Sequence, residues 1–368
     1  MSTTLIGVKD LDAIAIGAAL YGTGGGGDPH IGKLLAQRSI RLHGPTRLIT
    51  LDELDDDDLI VSVAMIGAPA VMLERLAETG PLITALRELE ARLGRKASAL
   101  FSAEVGGLNS VIPFSVATEL GLPLVDGDTM GRAFPQLDMT LCTLQGINAW
   151  PLALADEKGN SMLMNTIDNA HLERFARSIT MDMGGSCYSA LYSMTVRQAK
   201  ASLVQGSISM THRAGQALFD ARARHLDPVA ALVRVSNGHC LFKGKVTDLQ
   251  RKIDGRWSKG LAAIAGLDDF EGSSAELNYQ NEFLMARISG PGGDRVLCST
   301  PDLIATVDLE TGEPITAEQV RYGLRVAVLG LPCVPEWRTA AALALVGPRA
   351  FGYEHEYQAV EQLAMEQP

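Results

Sequence analysis

Three carboxylates and one arginine stand out in the sequence as groups that can do chemistry. Asp126, Asp128 and Arg132 lie in VDGDTMGRAFPQLDM, and Glu104 lies in SAEVGGLNS. Both segments end or follow predicted strands, and ligands of open α/β sheets collect at the carboxyl ends of strands. Carboxylates in different environments can serve as acid and base, so Asp126, Asp128 and Glu104 are the predicted catalytic residues. Arg132 suits a bidentate grip on a substrate carboxylate; alternatively, Asp126 caps a turn and pairs with it.

The stretch TGGGGDPHIGKLL, residues 23–35, comes close to a nucleotide-binding loop. Its spacing fits G-x-x-x-x-G-K, but Leu34 stands where a hydroxyl should hold magnesium. Pro29 removes one N–H donor, and Asp28 places negative charge where phosphate would sit. We therefore expect no nucleotide here.

Four consecutive glycines are costly to order, so we expect something to require them. Asp28 as N-cap and Pro29 at the first helical position predict a helix over 29–38. One interpretation is a turn packed too closely for a Cβ. The other, which we favour, is a loop whose N–H groups meet a ligand carboxylate or a developing oxyanion. The predicted substrate-binding residues of this loop are Gly24, Gly25, Gly26, Gly27 and Asp28.

Metal and nucleophile signals are weaker. The histidines show no H-E-x-x-H spacing. His30, within the glycine loop, is the metal candidate, and with Glu104, Asp126 and Asp128 it would offer a mixed N/O site for zinc or manganese. Cys187 follows two glycines but has no adjacent histidine, which favours a small buried residue over a nucleophile.

The pattern of elements predicts two domains. Apolar strands and amphipathic helices alternate through 58–67 (strand), 71–94 (helix), 97–107 (strand), 109–121 (helix) and 122–128 (strand). This alternation indicates parallel strands with crossover helices, an α/β domain of residues 1–165. Short runs split by turn signals predict a β-rich domain over 166–368, a barrel or a sandwich, whose last residues pack back on the first. Within it, Asn281 and Glu282 are candidate substrate-binding residues.

Composition limits the classes of partner that the protein is expected to bind. The chain has 368 residues, a formal net charge of −11 and five scattered cysteines. The negative charge argues against nucleic acid and against an anionic membrane surface. Isolated cysteines argue against a disulfide framework and indicate a reducing compartment. No apolar run approaches the ~18 residues of a membrane span. We expect a soluble cytoplasmic protein with a small-molecule partner. We also expect a homo-oligomer, because most soluble oligomers are homo-oligomers.

Several motifs together resemble one family. GTGGGGDP, VDGDTMGRAFP, NYQNEF, TPDLI…TGEPI…RYGLRVAV and VGPRAFGYEHEY occur in this order over nearly the whole chain. They resemble the S-methyl thiohydantoin desulfurase family, associated with hydantoinase- and oxoprolinase-type proteins. The resemblance implies a three-layer α/β N-terminal domain and a β-barrel-like C-terminal domain.

The resemblance also implies an activity. It is the hydrolytic replacement of the methylthio group at C2 of an S-methyl thiohydantoin by oxygen, in breakdown of sulfur-containing histidine derivatives such as ergothioneine. The glycine loop, Asp126, Asp128, Gly131 and Arg132 match the family motifs. Gln136 stands where the family has Glu, which removes acid–base capacity there. The alternatives are an ATP-linked partner subunit of a hydantoinase or oxoprolinase, and a non-catalytic small-molecule binding protein.

Overall fold

The computed structural model describes residues 4–67, 78–254 and 257–365. These residues form two compact units. The first contains the described residues up to Ala18 and those within Gly27–Gly131 and Gln136–His212. The second contains Ala19–Gly26, Arg132–Pro135 and the chain from Arg213 onward. The first compact unit thus extends to His212, and the domain boundary at residue 165 stays a prediction.

A nine-stranded sheet forms the centre of the first unit. Its strands are β1 (Thr4–Ile6), β2 (Thr46–Ile49), β3 (Leu59–Gly67), β4 (Ala99–Ser102), β5 (Leu124–Asp128), β6 (Leu152–Ala155), β7 (Ser161–Met164), β8 (Ser186–Thr195) and β9 (Val204–Gln205). The order is β1-β2-β5-β4-β3-β8-β6-β7, and β9 pairs with β5. Strands β2, β5, β4 and β3 are parallel. The other pairings are antiparallel, so the α/β class is confirmed but the sheet is mixed rather than wholly parallel.

The second unit contains an antiparallel sheet of eight strands. They are β10 (His239–Asp254), β11 (Trp257–Gly266), β12 (Ser274–Gln280), β13 (Glu282–Ser289), β14 (Arg295–Ser299), β15 (Leu303–Asp308), β16 (Pro314–Ile315) and β17 (Arg325–Leu331). The order is β14-β13-β12-β11-β10-β17-β15-β16. The β-rich prediction is confirmed. Among the described residues β14 and β16 do not pair with each other, so a closed barrel is not formed by hydrogen bonds.

The helices in the described part of the chain are α1 (Asp10–Tyr21), α2 (Pro29–His43), α3 (Thr79–Leu93), α4 (Ile112–Leu120), α5 (Leu141–Leu144), α6 (Asn169–Asp182), α7 (Val196–Ser202), α8 (Ser207–Ala223), α9 (Pro228–Val235), α10 (Ala340–Val346) and α11 (Val360–Met365). None of them is long and apolar enough to cross a bilayer.

Local sequence signals explain several of these elements. The apolar run of β3 is buried along nearly its whole length, as a central strand requires. Helix α3 covers the later part of the helix predicted over 71–94, whose residues 71–77 lie outside the described residues. It ends at Gly94, which adopts the left-handed conformation (φ +66°) favoured by glycine at helix ends. Asp168 caps α6 by accepting a hydrogen bond from the main-chain N–H of His171 at 2.7 Å.

In the second unit, Asp302 ties the C-terminal segment to the sheet. Its side chain is fully buried. Oδ1 accepts hydrogen bonds from the main-chain N–H of Cys333 (2.9 Å) and from Arg338 (3.1 Å). Oδ2 accepts from the Tyr357 hydroxyl (2.9 Å) and the main-chain N–H of Val360 (2.7 Å). One carboxylate therefore satisfies four donors from a segment that follows the last strand.

We predict that Asp302→Asn destabilises the second unit, because an amide nitrogen would face donors that now meet a carboxylate oxygen. Breaking a buried charged network of this kind costs about 3–5 kcal/mol. Thermal denaturation should show a Tm several degrees lower, and hydrogen exchange should become faster over 335–365. The exposed Asp294→Asn is the matched control. Equal Tm values for the two variants would contradict this role.

Candidate functional site

Two of the predicted carboxylates lie at the ends of neighbouring parallel strands in the first unit. Asp128 is the last residue of β5, and Glu104 follows β4 by two positions. The two strands pair with Ser102 opposite Asp128. The negative charge of Asp128 contributes to raising the pKa of Glu104, so the two groups are electrostatic neighbours. The structure thus brings together two of the predicted catalytic residues.

Asp128 holds the loop that follows β5. Its Oδ2 accepts hydrogen bonds from the main-chain N–H groups of Val105 (3.1 Å), Met130 (2.8 Å) and Gly131 (2.8 Å). The side chain is fully buried, and Oδ1 has no hydrogen-bond partner among the described residues. Burial raises the pKa of Asp128 to about 6, and the N–H donors oppose this shift. At neutral pH Asp128 is therefore mainly ionised, and its charge fixes the loop.

Glu104 is the most strongly perturbed acid of the pair. Its side chain is 8% exposed, and Oε1 accepts a hydrogen bond from Asn109 Nδ2 at 2.8 Å. Asn109 is itself oriented by Met65, whose main-chain N–H and C=O both bond its amide. Burial raises the pKa of Glu104 to about 8; Asp128 adds to this, while Asn109 and Arg177 oppose it. At neutral pH Glu104 is mainly protonated, which makes it a proton donor.

The sequence interpretation missed three residues that accompany this pair. On α6, Arg177 Nε donates to Glu173 Oε1 at 3.0 Å, and both side chains are almost fully buried. Glu173 Oε2 accepts from the main-chain N–H of Leu137 at 2.9 Å. The neighbouring Asp138 is also buried, and burial followed by the charge of Glu173 raises its pKa to about 6. The available signal was the i,i+4 spacing of Glu173 and Arg177, which places an acid and a base on the same face of a helix.

Asp126 has a local structural role. Its Oδ1 accepts from the main-chain N–H of Ser209 (3.0 Å) and its Oδ2 from the Ser209 hydroxyl (2.5 Å). Its carbonyl oxygen accepts from the N–H of Gly206. Both carboxylate oxygens are thus engaged at the start of α8, and the catalytic role of Asp126 stays a prediction.

The predicted glycine loop is divided between the units. Gly24, Gly25 and Gly26 belong to the second unit. A Cβ on Gly25 would lie 2.0 Å from Glu282 Oε1, and one on Gly24 would lie 2.5 Å from the Phe283 ring. The carbonyl of Gly24 accepts from the N–H of Ala317 at 2.8 Å. Close packing within this unit therefore requires these glycines, and the ligand-binding role of the loop stays a prediction.

The remaining loop residues begin a helix of the first unit. Gly27 has a φ of +75°, and Asp28 caps α2 by accepting from the N–H of His30 at 2.8 Å. The predicted start at Pro29 is confirmed, and α2 continues to His43. His30 is exposed on the first turn. In the described ranges no three His, Cys, Asp or Glu side chains are grouped to hold a metal ion, so the metal site stays a prediction.

Arg132 is bound to protein oxygens, and its role as a substrate clamp stays a prediction. It is fully buried in the second unit. Nη1 donates to the carbonyls of Pro301 (2.7 Å) and Asp302 (2.9 Å), and Nη2 donates to Thr23 Oγ1 (3.0 Å). Its guanidinium also lies 4.4 Å from the centre of the Phe134 ring. Burial lowers the pKa of Arg132 to about 10 against the opposing charge of Glu282. The guanidinium therefore anchors main-chain segments of its own unit.

Asn281 and Glu282 lie beside this anchor. Asn281 adopts a left-handed conformation (φ 60°) between β12 and β13. Its main-chain N–H donates to the carbonyl of Ser258 at 2.8 Å, and its Oδ1 accepts from the N–H of Ser258 at 3.0 Å. Glu282 is 3% exposed and contacts the Gly25 turn. The structure thus brings Glu282, Gly24, Gly25 and Arg132 into one packed cluster.

The contacts of Cys187 and Gln136 are structural ones. Cys187 is fully buried beside the Thr180 hydroxyl, and burial raises the pKa of its thiol to about 11, which suppresses the nucleophilic thiolate. The carbonyl of Gln136 accepts from the N–H of Met139 and so forms the turn that contains Asp138.

The fold and the site define a protein with a mixed α/β unit that carries a buried carboxyl cluster, and an antiparallel β unit. A model of the S-Me-THD-like N-terminal domain matches residues 9–166, and one of the S-Me-THD-like C-terminal domain matches residues 167–360. The chain therefore belongs to the S-methyl thiohydantoin desulfurase-like family.

Solved structures support the same fold. A crystal structure of a protein from Chromobacterium violaceum is 25% identical to this chain, with a TM-score of 0.81. The match covers 97% of this chain and 100% of that one. A comparison with curated proteins gave no significant match.

The raised pKa of Glu104 makes a prediction about stability. A carboxyl whose pKa is higher in the folded state stabilises the fold below its unfolded value, and this contribution is lost as the pH rises through the folded value. The window here runs from the ordinary value of 4.5 to about 8. Across it, the Tm of Glu104→Gln should rise by a few degrees relative to wild type and then level off. Thermal denaturation from pH 5 to 9 measures this, with the exposed Glu271→Gln as control. A pH-independent difference would contradict the shift.

The packing of the glycine turn makes a second prediction. Gly25→Ala should lower the Tm by several degrees, because the new methyl group overlaps the buried Glu282 side chain. Gly292→Ala is the matched control, since a Cβ there meets open space. Tm values that agree within about one degree would show that the turn yields at little cost.

Proposed function

We propose that this chain hydrolyses an S-methyl thiohydantoin at C2, giving the hydantoin and methanethiol. Membership of the S-Me-THD-like family supports the class of substrate. The observation that carries the reaction type is Glu104, a buried carboxylic acid that stays largely protonated at neutral pH. The substrate would come from breakdown of sulfur-containing histidine derivatives, with ergothioneine as the source that the family resemblance implies.

The chemistry explains why such an acid is useful. Attack of water on C2 pushes electrons onto the ring nitrogen, and a proton delivered there prevents an unstable anion. A carboxyl group with an ordinary pKa would be ionised at neutral pH and could not donate. Glu104, with a pKa of about 8, holds its proton. It is therefore the general acid of the proposal.

Asp128 supports this acid without donating a proton itself. Its own pKa of about 6 leaves it ionised between pH 6 and 8, where Glu104 is protonated. Two carboxyls whose pKa values are pushed apart by their environments divide the acidic and anionic roles. Asp128 is a positioning residue: it holds the loop over 128–131, and its charge favours the protonated form of Glu104.

Release of methanethiol is the direct test of the function. The purified protein, with its metal content recorded, would be incubated without ATP with the S-methyl thiohydantoin that bears a propionate arm. We expect methanethiol and the hydantoin in equal amounts. No release, with or without zinc or manganese, would contradict the proposed reaction. Release only on addition of ATP and a hydantoinase-type partner would favour the partner-subunit alternative.

The same assay tests the role of Glu104. Glu104→Gln should lower kcat by roughly 10²–10⁴-fold, as expected for loss of a general acid. The glutamine can still accept the Asn109 hydrogen bond, so folding should be preserved. Wild-type kcat should fall as the pH rises above about 8, because the acid loses its proton. A Glu104→Gln rate within threefold of Glu271→Gln would remove Glu104 from the chemistry.

A further inference from the structure

We infer that Asp138 is the general base that takes a proton from the attacking water, an assignment that rests on the proposed hydrolysis. A hydrolase of this kind needs a base as well as an acid. The motif that contains Asp126 and Asp128 also contains Asp138, and the three carboxylates have different surroundings in the first unit.

Hydrogen bonding and exposure together separate the three aspartates. Asp126 has both oxygens bonded to Ser209. Asp128 also has an Oδ1 without a partner among the described residues, but it has no exposed surface and its Oδ2 is held by three main-chain N–H groups. Asp138 is 8% exposed, and its Oδ1 is a buried acceptor without a partner among the described residues. A buried carboxylate oxygen without a donor costs free energy, and functional sites are where such groups persist.

A rigid frame positions Asp138. Glu173 Oε2 holds the main-chain N–H of Leu137, the residue before it, and Glu173 Oε1 accepts from Arg177. The main-chain N–H of Thr140 donates to the Asp138 carbonyl at 2.9 Å. The turn that carries Asp138 is thus fixed on α6 from one side and closed on itself from the other, so its carboxylate has a defined place.

The positive charge of Arg177 acts on both the proposed base, Asp138, and the proposed acid, Glu104. Its positive charge lowers the pKa of Glu104 and also that of Asp138, so both carboxyls lie within its electrostatic range. Burial raises the pKa of Asp138 most, and the charges of Glu173 and Asp168 raise it further, whereas the main-chain N–H of Asp138 itself and the charge of Arg177 lower it. The resulting value of about 6 leaves Asp138 ionised at neutral pH yet basic enough to accept a proton.

The proton transfers balance. In the first step a water oxygen bonds to C2, one water proton passes to Asp138, and the C2=N electron pair moves to the ring nitrogen, which takes the proton of Glu104. In the second step the C2–S bond breaks and methanethiolate takes the proton from Asp138. The hydroxyl proton of the adduct returns to Glu104 as the carbonyl forms. Both carboxyls end as they began.

Kinetics of Asp138→Asn and Asp138→Ala test the assignment, with Asp182→Asn on the exposed end of α6 as matched control. We expect kcat for both Asp138 variants to fall by roughly 10²–10⁴-fold, with KM within threefold of wild type. The acidic limb of the kcat profile, near pH 6, should vanish in the residual activity. Added formate should restore part of the rate of Asp138→Ala and none of that of Glu104→Gln.

The outcomes distinguish failure of the base assignment from failure of the hydrolase proposal. An active wild type with Asp138→Asn within threefold of Asp182→Asn would overturn the base assignment alone. An inactive wild type would overturn the hydrolase proposal and the base with it. A rate loss that formate does not restore, accompanied by a Tm several degrees lower, would overturn the assignment in favour of a purely structural role for Asp138.

Discussion

Burial of a carboxyl group away from water is the interaction on which the account depends. A charged carboxylate loses its hydration when it is buried, so the neutral acid is favoured and the pKa rises. Glu104 lies in such a place, where the Asn109 amide bonds it and Arg177 offsets only part of the burial. The neighbouring Asp128 is buried too, but three main-chain N–H groups limit its shift. Burial at two neighbouring strand ends thus produces one protonated acid and one anion.

The fold supplies the means to keep these groups in place. Parallel strands β4 and β5 bring Glu104 and Asp128 to the same edge of the sheet, and α6 carries the Glu173–Arg177 pair that holds the turn of Asp138. In the second unit, buried charges do structural work instead. Arg132 and Asp302 bind main-chain groups of that unit.

Sequence reasoning succeeded where the cause was local. Asp28 and Pro29 specified the start of α2, and a continuous apolar run specified β3. The carboxyl ends of strands correctly pointed to Glu104 and Asp128 as neighbours. It could not foresee contacts made far along the chain. The packing of the glycine turn against Glu282 is one of these, because Glu282 follows more than two hundred residues later. The main-chain contacts of Arg132 were likewise not foreseen, since a guanidinium also suits a bidentate grip on a substrate carboxylate.

The central claim is that Glu104 carries a proton at neutral pH, and infrared difference spectroscopy tests it most directly. The spectrum of wild type minus Glu104→Gln should show the C=O band of a protonated carboxylic acid at pH 7. That band should give way to carboxylate bands as the pH rises through about 8. Carboxylate bands already present at pH 7, with no acid band, would contradict the account.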